Sequence, residues 1–302
     1  MKTLKLTVSI GIPAYNEEKN IKRLLLAILK QKRLNWILNE IIIYSDASND
    51  NTVKEVKSLN NSLIKIISAK ERKGKIYAMR TIQKKFSSEI LVFLDADIRL
   101  GDNLVLSYLV QEFTNNPKVM VVGAHSKPEK SQGFIQKAIY SKFEIFESYR
   151  IKIKDGHNIF NCTGACFCLR KQFANELIYP EILINEDDFS YLTCIYKGYK
   201  FRYAKRAFVY YKLPNNLIDY VKLTFRSNHK IVGPIFKKYF GRFAYEQTSI
   251  PLNLYFKSLV KVLRTSPAEI LFISILSMII SPFIPKNKET IGLSQYTISS
   301  TK

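Results

Sequence analysis

Cysteine and histidine are scarce in this chain, which has four of the first and three of the second among 302 residues. The cysteines are Cys162, Cys166, Cys168 and Cys194, and no histidine accompanies them at the spacing of a zinc ligand set. A zinc site is therefore disfavoured. Buried free thiols in a reducing compartment are the better interpretation.

Long apolar runs are also missing. The longest, residues 270–284, is 15 residues long, whereas a spanning helix needs about 20. Extending it back to residue 267 reaches a spanning length only marginally, so whether residues 267–285 cross a membrane stays open. The apolar part of residues 1–13 is too short for a signal peptide, and we expect the catalytic part in the cytoplasm.

Acidic residues are few: 25 stand against 47 lysines and arginines, giving a formal net charge of +22. Residues 1–100 carry +9, residues 101–200 carry +1 and residues 201–302 carry +12. This excess of positive charge is compatible with binding to nucleic acid, to an anionic membrane or to phosphorylated small molecules. The basic final third is rich in aromatic and aliphatic residues, which favours a membrane surface, and no nucleic-acid-binding motif is present.

The first hundred residues alternate between apolar strand patterns and amphipathic helix patterns, with no internal repeat. Four such alternations predict a mostly parallel, doubly wound α/β sheet flanked by helices. The predicted strands cover residues 6–12, 36–44, 63–67 and 90–94, and the predicted helices cover residues 17–30, 52–59 and 76–86.

The second half is less regular. Helices are predicted at residues 104–113, 132–150, from 171 and at 186–197, and strands at 118–122, 160–169 and 201–211. Beyond Pro214 the pattern changes to two basic, aromatic helices, residues 217–239 and 252–264, followed by the apolar run. We therefore expect a catalytic domain at residues 1–213, membrane-associating helices at 214–285 and a polar tail at 286–302.

Two aspartates, Asp95 and Asp97, follow the apolar run of residues 90–94 directly. The run has the character of a buried parallel strand, and ligands bind at the carboxyl ends of such strands. Carboxylates one residue apart present oxygens to a hard divalent cation. The alternative is a solvated helix cap after a strand.

Three consecutive acids, Glu186, Asp187 and Asp188, begin a predicted helix. Neighbouring carboxylates raise each other's proton affinity, which suits a general base. The alternative is an acidic first turn that stabilises the helix dipole.

Several of these segments, in this order and spacing, resemble family-2 glycosyltransferases with the GT-A fold. The resemblance covers residues 7–211 and implies a nucleotide-diphospho-sugar transferase. The motifs are SIGIPAYNEEKNI (9–21), SDASNDNT (45–52), RKGKIYAMR (72–80), FLDAD (93–97), TGACFCLRK (163–171), NEDD (185–188) and KGYK (197–200).

The resemblance implies roles for residues of the nucleotide site. Pro13, Tyr15 and Glu17 fall in the loop that holds the nucleotide base, and Asp46 matches the aspartate that binds it. The family often has two aspartates and a glycine here, so Ser45 and Ala47 leave the nucleotide open, with a UDP-sugar favoured. The basic segment near the nucleotide is matched by Lys75 and Arg80.

The resemblance also implies roles at the reacting centre. Asp95 matches the ribose-side or metal-side aspartate and Asp97 the metal ligand, with Mg²⁺ or Mn²⁺ as the cofactor. Asp187, next to Glu186, matches the catalytic base. Because no second nucleophilic carboxylate is matched, a single displacement with inversion is implied. The acceptor-side strand start is matched by Thr163 and Gly164.

Arg226 and His229 are further candidates for contact with the donor diphosphate. The alternative for both is a basic interfacial helix. Processive relatives have Gln-x-x-Arg-Trp here, and only the arginine is kept, which disfavours processive synthesis of long chains. The acceptor is expected to be a lipid-linked glycan or glycolipid at the cytoplasmic face of the membrane. A soluble or polysaccharide acceptor, helices packed back on the core, and a non-catalytic basic membrane-binding protein are the alternatives.

Overall fold

The computed structural model describes residues 5–114, 116–129, 133–181, 183, 185–227 and 234–283. The chain divides into two compact units. The first combines Met1–Lys127 with His157–Tyr211, and the second combines Pro128–Gly156 with Lys212–Lys302.

The first unit is built on one eight-stranded sheet in the order β3-β2-β1-β4-β7-β6-β8-β5. Strand β1 lies parallel to β2 and β4, and β2 lies parallel to β3, which confirms the parallel sheet predicted from the first hundred residues. Strand β7 runs antiparallel to β4 and β6. The strands are β1 (Leu6–Ala14), β2 (Trp36–Ser45), β3 (Ile64–Ser68), β4 (Ile90–Leu94), β5 (Arg99–Leu100), β6 (Val119–Pro128), β7 (Cys166–Arg170) and β8 (Lys200–Tyr211).

Helices flank this sheet. Those of the first unit are α1 (Ile21–Leu29), α2 (Thr52–Lys57), α3 (Lys75–Lys85), α4 (Val105–Thr114), α6 (Lys171–Glu176) and α7 (Glu186–Tyr196). Helix α1 buries Ile21, Leu24, Leu25 and Ile28 at the i, i+3, i+4, i+7 spacing of an amphipathic helix. Every residue of β4 is buried, as expected for a strand covered on both faces.

Helix α3 packs closely on β1 at Gly11. A Cβ at this position would lie 2.6 Å from Ile82 Cγ2 and 3.1 Å from a Phe93 ring carbon. Glycine therefore sets how near α3 approaches the sheet. That distance decides where Lys75, the first residue of α3, lies at the carboxyl end of the parallel strands.

The second unit is helical. Its helices are α5 (Gly133–Arg150), α8 (Leu217–Ser227), α9 (Pro234–Phe240), α10 (Arg242–Gln247), α11 (Leu252–Leu263) and α12 (Pro267–Ile280). Ile145 and Tyr149 of α5 form a buried cluster with Val262 of α11 and Ile270 of α12.

A buried cation belongs to the same helix α5. The Arg150 side chain is 1% exposed, and its guanidinium pairs with Glu147 at 2.5 Å. It also lies 5.4 Å from the Phe143 ring and 5.0 Å from the Phe146 ring. The pairing and the two rings compensate for the removal of this charge from water.

The structure refines the sequence prediction in several places. Of the predicted helix 217–239, residues 217–227 form α8 and residues 234–239 belong to α9, while residues 228–233, including His229, lie outside the described residues. The predicted strand 160–169 begins only at Cys166, because residues 159–161 form a 3₁₀ helix instead. In the described part of the chain, no helix combines the length and apolarity that crossing a bilayer requires.

The predicted domain limits, 1–213, 214–285 and 286–302, stay a prediction. The compact units differ from them in that α5 belongs with the C-terminal helices. The tail 286–302 lies outside the described residues.

Gly11→Ala tests the close packing of α3 on β1. We expect a loss of about 1–3 kcal/mol in the free energy of unfolding, because the added methyl group overlaps Ile82. The double variant Gly11→Ala, Ile82→Ala should lose less than the sum of the two single variants, because the second substitution removes the overlap. Urea unfolding measures all three, and strictly additive losses would contradict this packing.

Candidate active site

The loops that follow β1 and β2 bind each other. The φ angles are 54° at Asn16 and 58° at Ala47, and these positive values turn the backbone sharply after β1 and after β2. The Asn49 N–H donates to Asn16 Oδ1 at 2.9 Å, and the Glu17 N–H donates to Thr52 Oγ1 at 2.7 Å. These bonds make one rigid rim from the two segments predicted to hold the nucleotide base.

Asp46 lies in this rim and is 5% exposed. Its Oδ1 accepts from the Lys73 N–H at 2.7 Å and its Oδ2 accepts from the Gly74 N–H at 2.8 Å. Gly74 has a φ of 87°, which a residue with a side chain adopts only with strain. The predicted base-binding aspartate thus holds the loop that precedes Lys75, and its remaining lone pairs are the acceptors that it offers a ligand.

Aromatic and cationic side chains surround the same loop. The Arg72 guanidinium lies 4.0 Å from the Tyr15 ring centroid, and the Lys73 ammonium lies 4.8 Å from that of Tyr77. Pro13 pairs with Tyr44 across the parallel strands β1 and β2. These groups form an aromatic, positively charged edge, which suits a nucleotide.

Glu17, also predicted at the base, is 5% exposed. Its Oε2 accepts from Asn20 Nδ2 at 2.9 Å. Its side chain therefore supports the turn before α1.

Lys75 joins the two acidic parts of the site. Its ammonium lies 2.6 Å from Asp95 Oδ1, at the end of β4, and 2.5 Å from Glu186 Oε1, at the start of α7. Burial acts to lower the pKa of Lys75, but the charges of both carboxylates and the hydrogen bonds to them outweigh it and hold this pKa above its ordinary value. The lysine is therefore a permanent cation between two carboxylates.

Asp187 lies beside this ion pair. Its Oδ2 accepts from the Gly164 N–H at 2.6 Å and its Oδ1 accepts from the Asp188 N–H at 2.9 Å. Burial and the neighbouring charge of Glu186 raise the pKa of Asp187 to about 7, against the opposing effects of the two N–H donors and Lys75. A carboxyl group with this pKa exchanges its proton near neutral pH, as a general base must.

Gly164 lies where these groups meet. A Cβ at this position would be 3.0 Å from Glu186 Oε1, 3.2 Å from Lys75 Nζ and 3.5 Å from Asp187 Oδ2. Gly164 lies in a turn just before β7, and Thr163 forms an isolated β-bridge with Cys166, so the strand itself starts later than predicted. Thr163 Oγ1 lies 2.5 Å from Ser126 Oγ on β6.

Asp95 and Asp97 follow β4 as predicted, and both are partly exposed. Arg23 of α1, which the sequence did not indicate, donates to the carbonyl oxygens of Asp97 and Ile98 at 3.4 Å each. This arginine therefore anchors the backbone of the acidic turn to α1.

The turn after β4 offers some of the ligands that a metal ion needs. Among the described residues, no group of three or more His, Cys, Asp or Glu side chains is arranged to hold a metal ion. Asp95 and Asp97 offer two carboxylates, which is the number that Mg²⁺ uses when phosphate oxygens and water complete its shell. The residues therefore fit a metal ion that binds together with a nucleotide diphosphate.

Three predicted contacts are not brought to this cluster by the described residues. Arg80 lies five residues after Lys75 on α3, about 140° around the helix from it. Arg226 is the second-last residue of α8 in the second unit, and its side chain is outside the described part. His229 lies outside the described residues altogether. Their roles stay predictions.

Comparison with known proteins identifies relatives of the part of the chain that holds β1 to β7. The family model described as "Glycosyl transferase family 2" matches residues 9–178, more than half of the chain.

Two curated proteins show the level of similarity. The chain is 32% identical over 136 residues to the UDP-Glc:alpha-D-GlcNAc-diphosphoundecaprenol beta-1,3-glucosyltransferase WfgD of Escherichia coli, covering 41% of this chain and 52% of that protein. It is 26% identical over 167 residues to the dolichol-phosphate mannosyltransferase of Pyrococcus furiosus, covering 55% and 46%. The chain therefore spans about half the length of these relatives.

A solved structure shows the same fold. The mannosyltransferase PcManGT from Pyrobaculum calidifontis, in complex with GDP-Man and Mn²⁺, superposes with a TM-score of 0.59 at 18% identity, covering 93% of this chain and 84% of that one. At this identity the likeness concerns the fold alone, and it confirms the predicted GT-A architecture.

The raised pKa of Asp187 gives folding a specific pH dependence. The unfolded carboxyl group ionises near its ordinary value of 3.8 and the folded one near 7. Its contribution to stability is therefore complete below about pH 4 and is lost as the pH rises through 7. Asp187→Asn removes this loss, so the melting temperature of the variant minus that of the wild type should rise from pH 4 to pH 7.

Glu71→Gln, at an exposed acid of the 70–75 turn, is the matched control because it changes the net charge equally. A melting-temperature difference for Asp187→Asn that stays as flat with pH as that of the control would contradict the raised pKa.

Proposed function

The chain belongs to glycosyl transferase family 2, and from this premise we propose that it transfers a sugar from a nucleotide-diphospho-sugar to a lipid-linked or glycolipid acceptor, with inversion at the anomeric carbon. The observation that carries the proposal is the contact cluster of Lys75, Asp95, Glu186, Gly164 and Asp187. This cluster joins the end of β4, on the side proposed for the sugar donor, to Asp187, the proposed general base.

The donor side is supported by the rim of the two loops. The Tyr15 and Tyr77 rings with their cations suit a nucleobase and its phosphates. Asp46, in the segment that departs from the family at Ser45 and Ala47, offers acceptors to the edge of a base such as uracil. A UDP-sugar is the favoured donor, in line with the UDP-Glc named for the E. coli relative.

The reaction breaks the bond between the anomeric carbon and the diphosphate, which leaves with added negative charge. Asp95 and Asp97 would hold Mg²⁺ or Mn²⁺ against the phosphates, and the ion would stabilise that charge when bound. Mn²⁺ accompanies GDP-Man in the P. calidifontis structure. Lys75 adds a fixed positive charge on the same side.

Asp187 would accept the proton of the acceptor hydroxyl as it attacks. The Gly164 N–H orients the carboxylate through Oδ2. With one base and no second nucleophilic carboxylate assigned, the sugar moves in a single displacement, hence the inversion. A protein that only binds membranes has no need of a half-buried acid with this pKa.

A lipid-linked acceptor is supported by the relatives and by the second unit. The E. coli and P. furiosus proteins are named for diphosphoundecaprenol and dolichol-phosphate substrates. Helices α11 and α12 bury one face and leave a second apolar face exposed. The exposed residues are Leu252, Phe256, Val260 and Leu263 on α11, and Leu271, Ile275, Met278 and Ile279 on α12.

Cations accompany the exposed face of α11, namely Lys257, Lys261 and Arg264. Apolar side chains flanked by lysine and arginine bind the interface of an anionic bilayer. We therefore propose peripheral association of the second unit with the cytoplasmic face of the membrane.

Isotope-labelled UDP-, GDP- and TDP-sugars with a membrane lipid extract and Mn²⁺ or Mg²⁺ test the transfer reaction. Asp187→Asn should lower the rate of transfer by about 10²–10⁴-fold because it removes the base. Asp97→Asn should lower it comparably because it removes a phosphate-side ligand. Asp102→Asn, at an exposed acid just beyond β5, is the control and should transfer as the wild type does. Transfer at the wild-type rate in both site variants would exclude this mechanism.

Vesicle flotation tests the membrane proposal. The double variant Phe256→Glu, Met278→Glu should lower binding to phosphatidylglycerol-containing vesicles by more than about tenfold, because each side chain contributes apolar area to the interface. Leu34→Glu, Ile178→Glu is the matched control, since it adds the same charge at two exposed apolar residues of the first unit. Equal losses in the two double variants would refute a specific membrane face.

A further inference from the structure

A strip of aromatic rings and cations lies on the antiparallel half of the sheet, apart from the residues assigned above. The ring planes of Phe208 and Tyr210 on β8 are nearly parallel, with an interplanar angle of 15° and centroids 6.5 Å apart. Arg99 of β5 holds its guanidinium carbon 4.5 Å from the Tyr210 centroid. Lys127 of β6 holds its ammonium 5.3 Å from the Phe208 centroid.

The backbone fixes this strip. Arg99 lies directly opposite Tyr210 in the antiparallel β5–β8 pair. Next to it, the Gly101 N–H donates to the Phe208 carbonyl at 2.8 Å. A Cβ at Gly101 would lie 2.9 Å from Phe208 Cβ and 3.3 Å from Tyr210 Cε2, so the two rings keep their positions only beside a glycine. His125 stacks on Phe208 with centroids 4.5 Å apart.

Both cations are close in sequence to the reacting centre. Arg99 comes two residues after Asp97. Lys127 follows Ser126, whose hydroxyl contacts Thr163, the neighbour of the glycine that binds Asp187. These links along the backbone connect the strip to the acidic turn and to the segment that contacts Thr163. Because the proposed reaction needs the acceptor beside that turn and the base, they favour the strip as part of its binding site.

The chemistry of the strip selects a ligand class. Guanidinium and ammonium groups bind phosphate oxygens, the first in a bidentate manner. Aromatic rings present flat apolar surface to the C–H face of a sugar ring, whose burial is favourable. Arg99 is exposed, and Phe208, Tyr210 and Lys127 are half-buried, so all four are accessible. A sugar that carries a phosphate at its reducing end satisfies both halves of the strip.

We propose that Arg99, Lys127, Phe208 and Tyr210 form the acceptor subsite and bind the phosphate-bearing sugar of the acceptor. Calling the bound molecule the acceptor rests on the proposed function. Binding of a phosphorylated sugar to the strip does not itself require that sugar transfer occurs. The rings lie under the sugar and the two cations hold its phosphate. The phosphate comes from a lipid-linked sugar diphosphate or from a soluble sugar phosphate, and the two are distinguished by experiment.

Equilibrium binding to the full chain, with no donor present, tests the subsite. The probes are N-acetylglucosamine, N-acetylglucosamine 1-phosphate and, in detergent micelles, N-acetylglucosamine-diphospho-undecaprenol. We expect both phosphorylated probes to bind at least about tenfold more tightly than the free sugar, because two charged contacts are added. A further gain for the lipid-linked probe identifies the lipid form as the ligand, and equal affinities identify the soluble form.

The variants separate a built site from general electrostatic attraction. Arg99→Gln, Lys127→Gln should weaken binding of the phosphorylated probes at least about tenfold and leave binding of the free sugar unchanged. The matched control is Lys205→Gln, Arg206→Gln, which removes two exposed cations from β8, the strand that carries both rings. Arg206 also lies over a ring, 4.3 Å from the Tyr108 centroid. The control should change binding less than about twofold.

Tyr210→Leu gives a second readout. It should weaken binding of the free sugar and of both phosphorylated probes, because it removes the ring surface while both cations stay. The subsite would be overturned if Arg99→Gln, Lys127→Gln and its control lost the same affinity for the phosphorylated probes. Equal affinity of the wild type for the free and phosphorylated sugars would overturn it as well. If the wild type transfers no sugar but these binding differences hold, the proposed function fails and the subsite stands. If it transfers sugar and the acceptor KM of Arg99→Gln, Lys127→Gln equals that of the control, the subsite alone fails.

Discussion

The ammonium of Lys75, held between Asp95 and Glu186, is the interaction on which the candidate site depends. It connects the end of a parallel strand to the first residue of α7, which are 91 residues apart in the chain. Without this cation, two carboxylates would face each other beside a third, Asp187, at a high electrostatic cost. The close approach of α3 to β1 at Gly11 determines where the lysine lies. The hydrogen bonds that Asp46 accepts from the backbone just before the lysine orient it.

The part of the fold governed by local pattern is predictable from the sequence. The apolar run before Asp95 has no polar position, so it indicates a strand buried on both faces, and β4 is such a strand. The spacing of Ile21, Leu24, Leu25 and Ile28 indicates one buried helix face, and α1 has it. The acids at the strand end follow from the same pattern, because their position in the sheet is a consequence of strand direction.

What the sequence does not reveal is which distant side chains meet. Nothing in the spacing of Lys75 and Glu186, 111 residues apart, indicates an ion pair, because helix and strand periodicities carry only local information. The segment of Thr163 and Gly164 reads as strand in the sequence but precedes β7, because the apolar residues after it hide where the strand starts. The sequence gives no signal for Arg23, because its side chain reaches the backbone of Asp97 from a helix that lies three strands earlier in the chain.

We propose that Asp95 and Asp97 bind a metal ion only in partnership with a nucleotide diphosphate. Electron paramagnetic resonance of Mn²⁺ added to the chain, with and without UDP, measures this directly. We expect little bound Mn²⁺ with the chain or UDP alone, a strong protein-bound signal when both are present, and loss of that signal in Asp97→Asn. Mn²⁺ that binds equally well without UDP, or a ternary signal that Asp97→Asn retains, would contradict it.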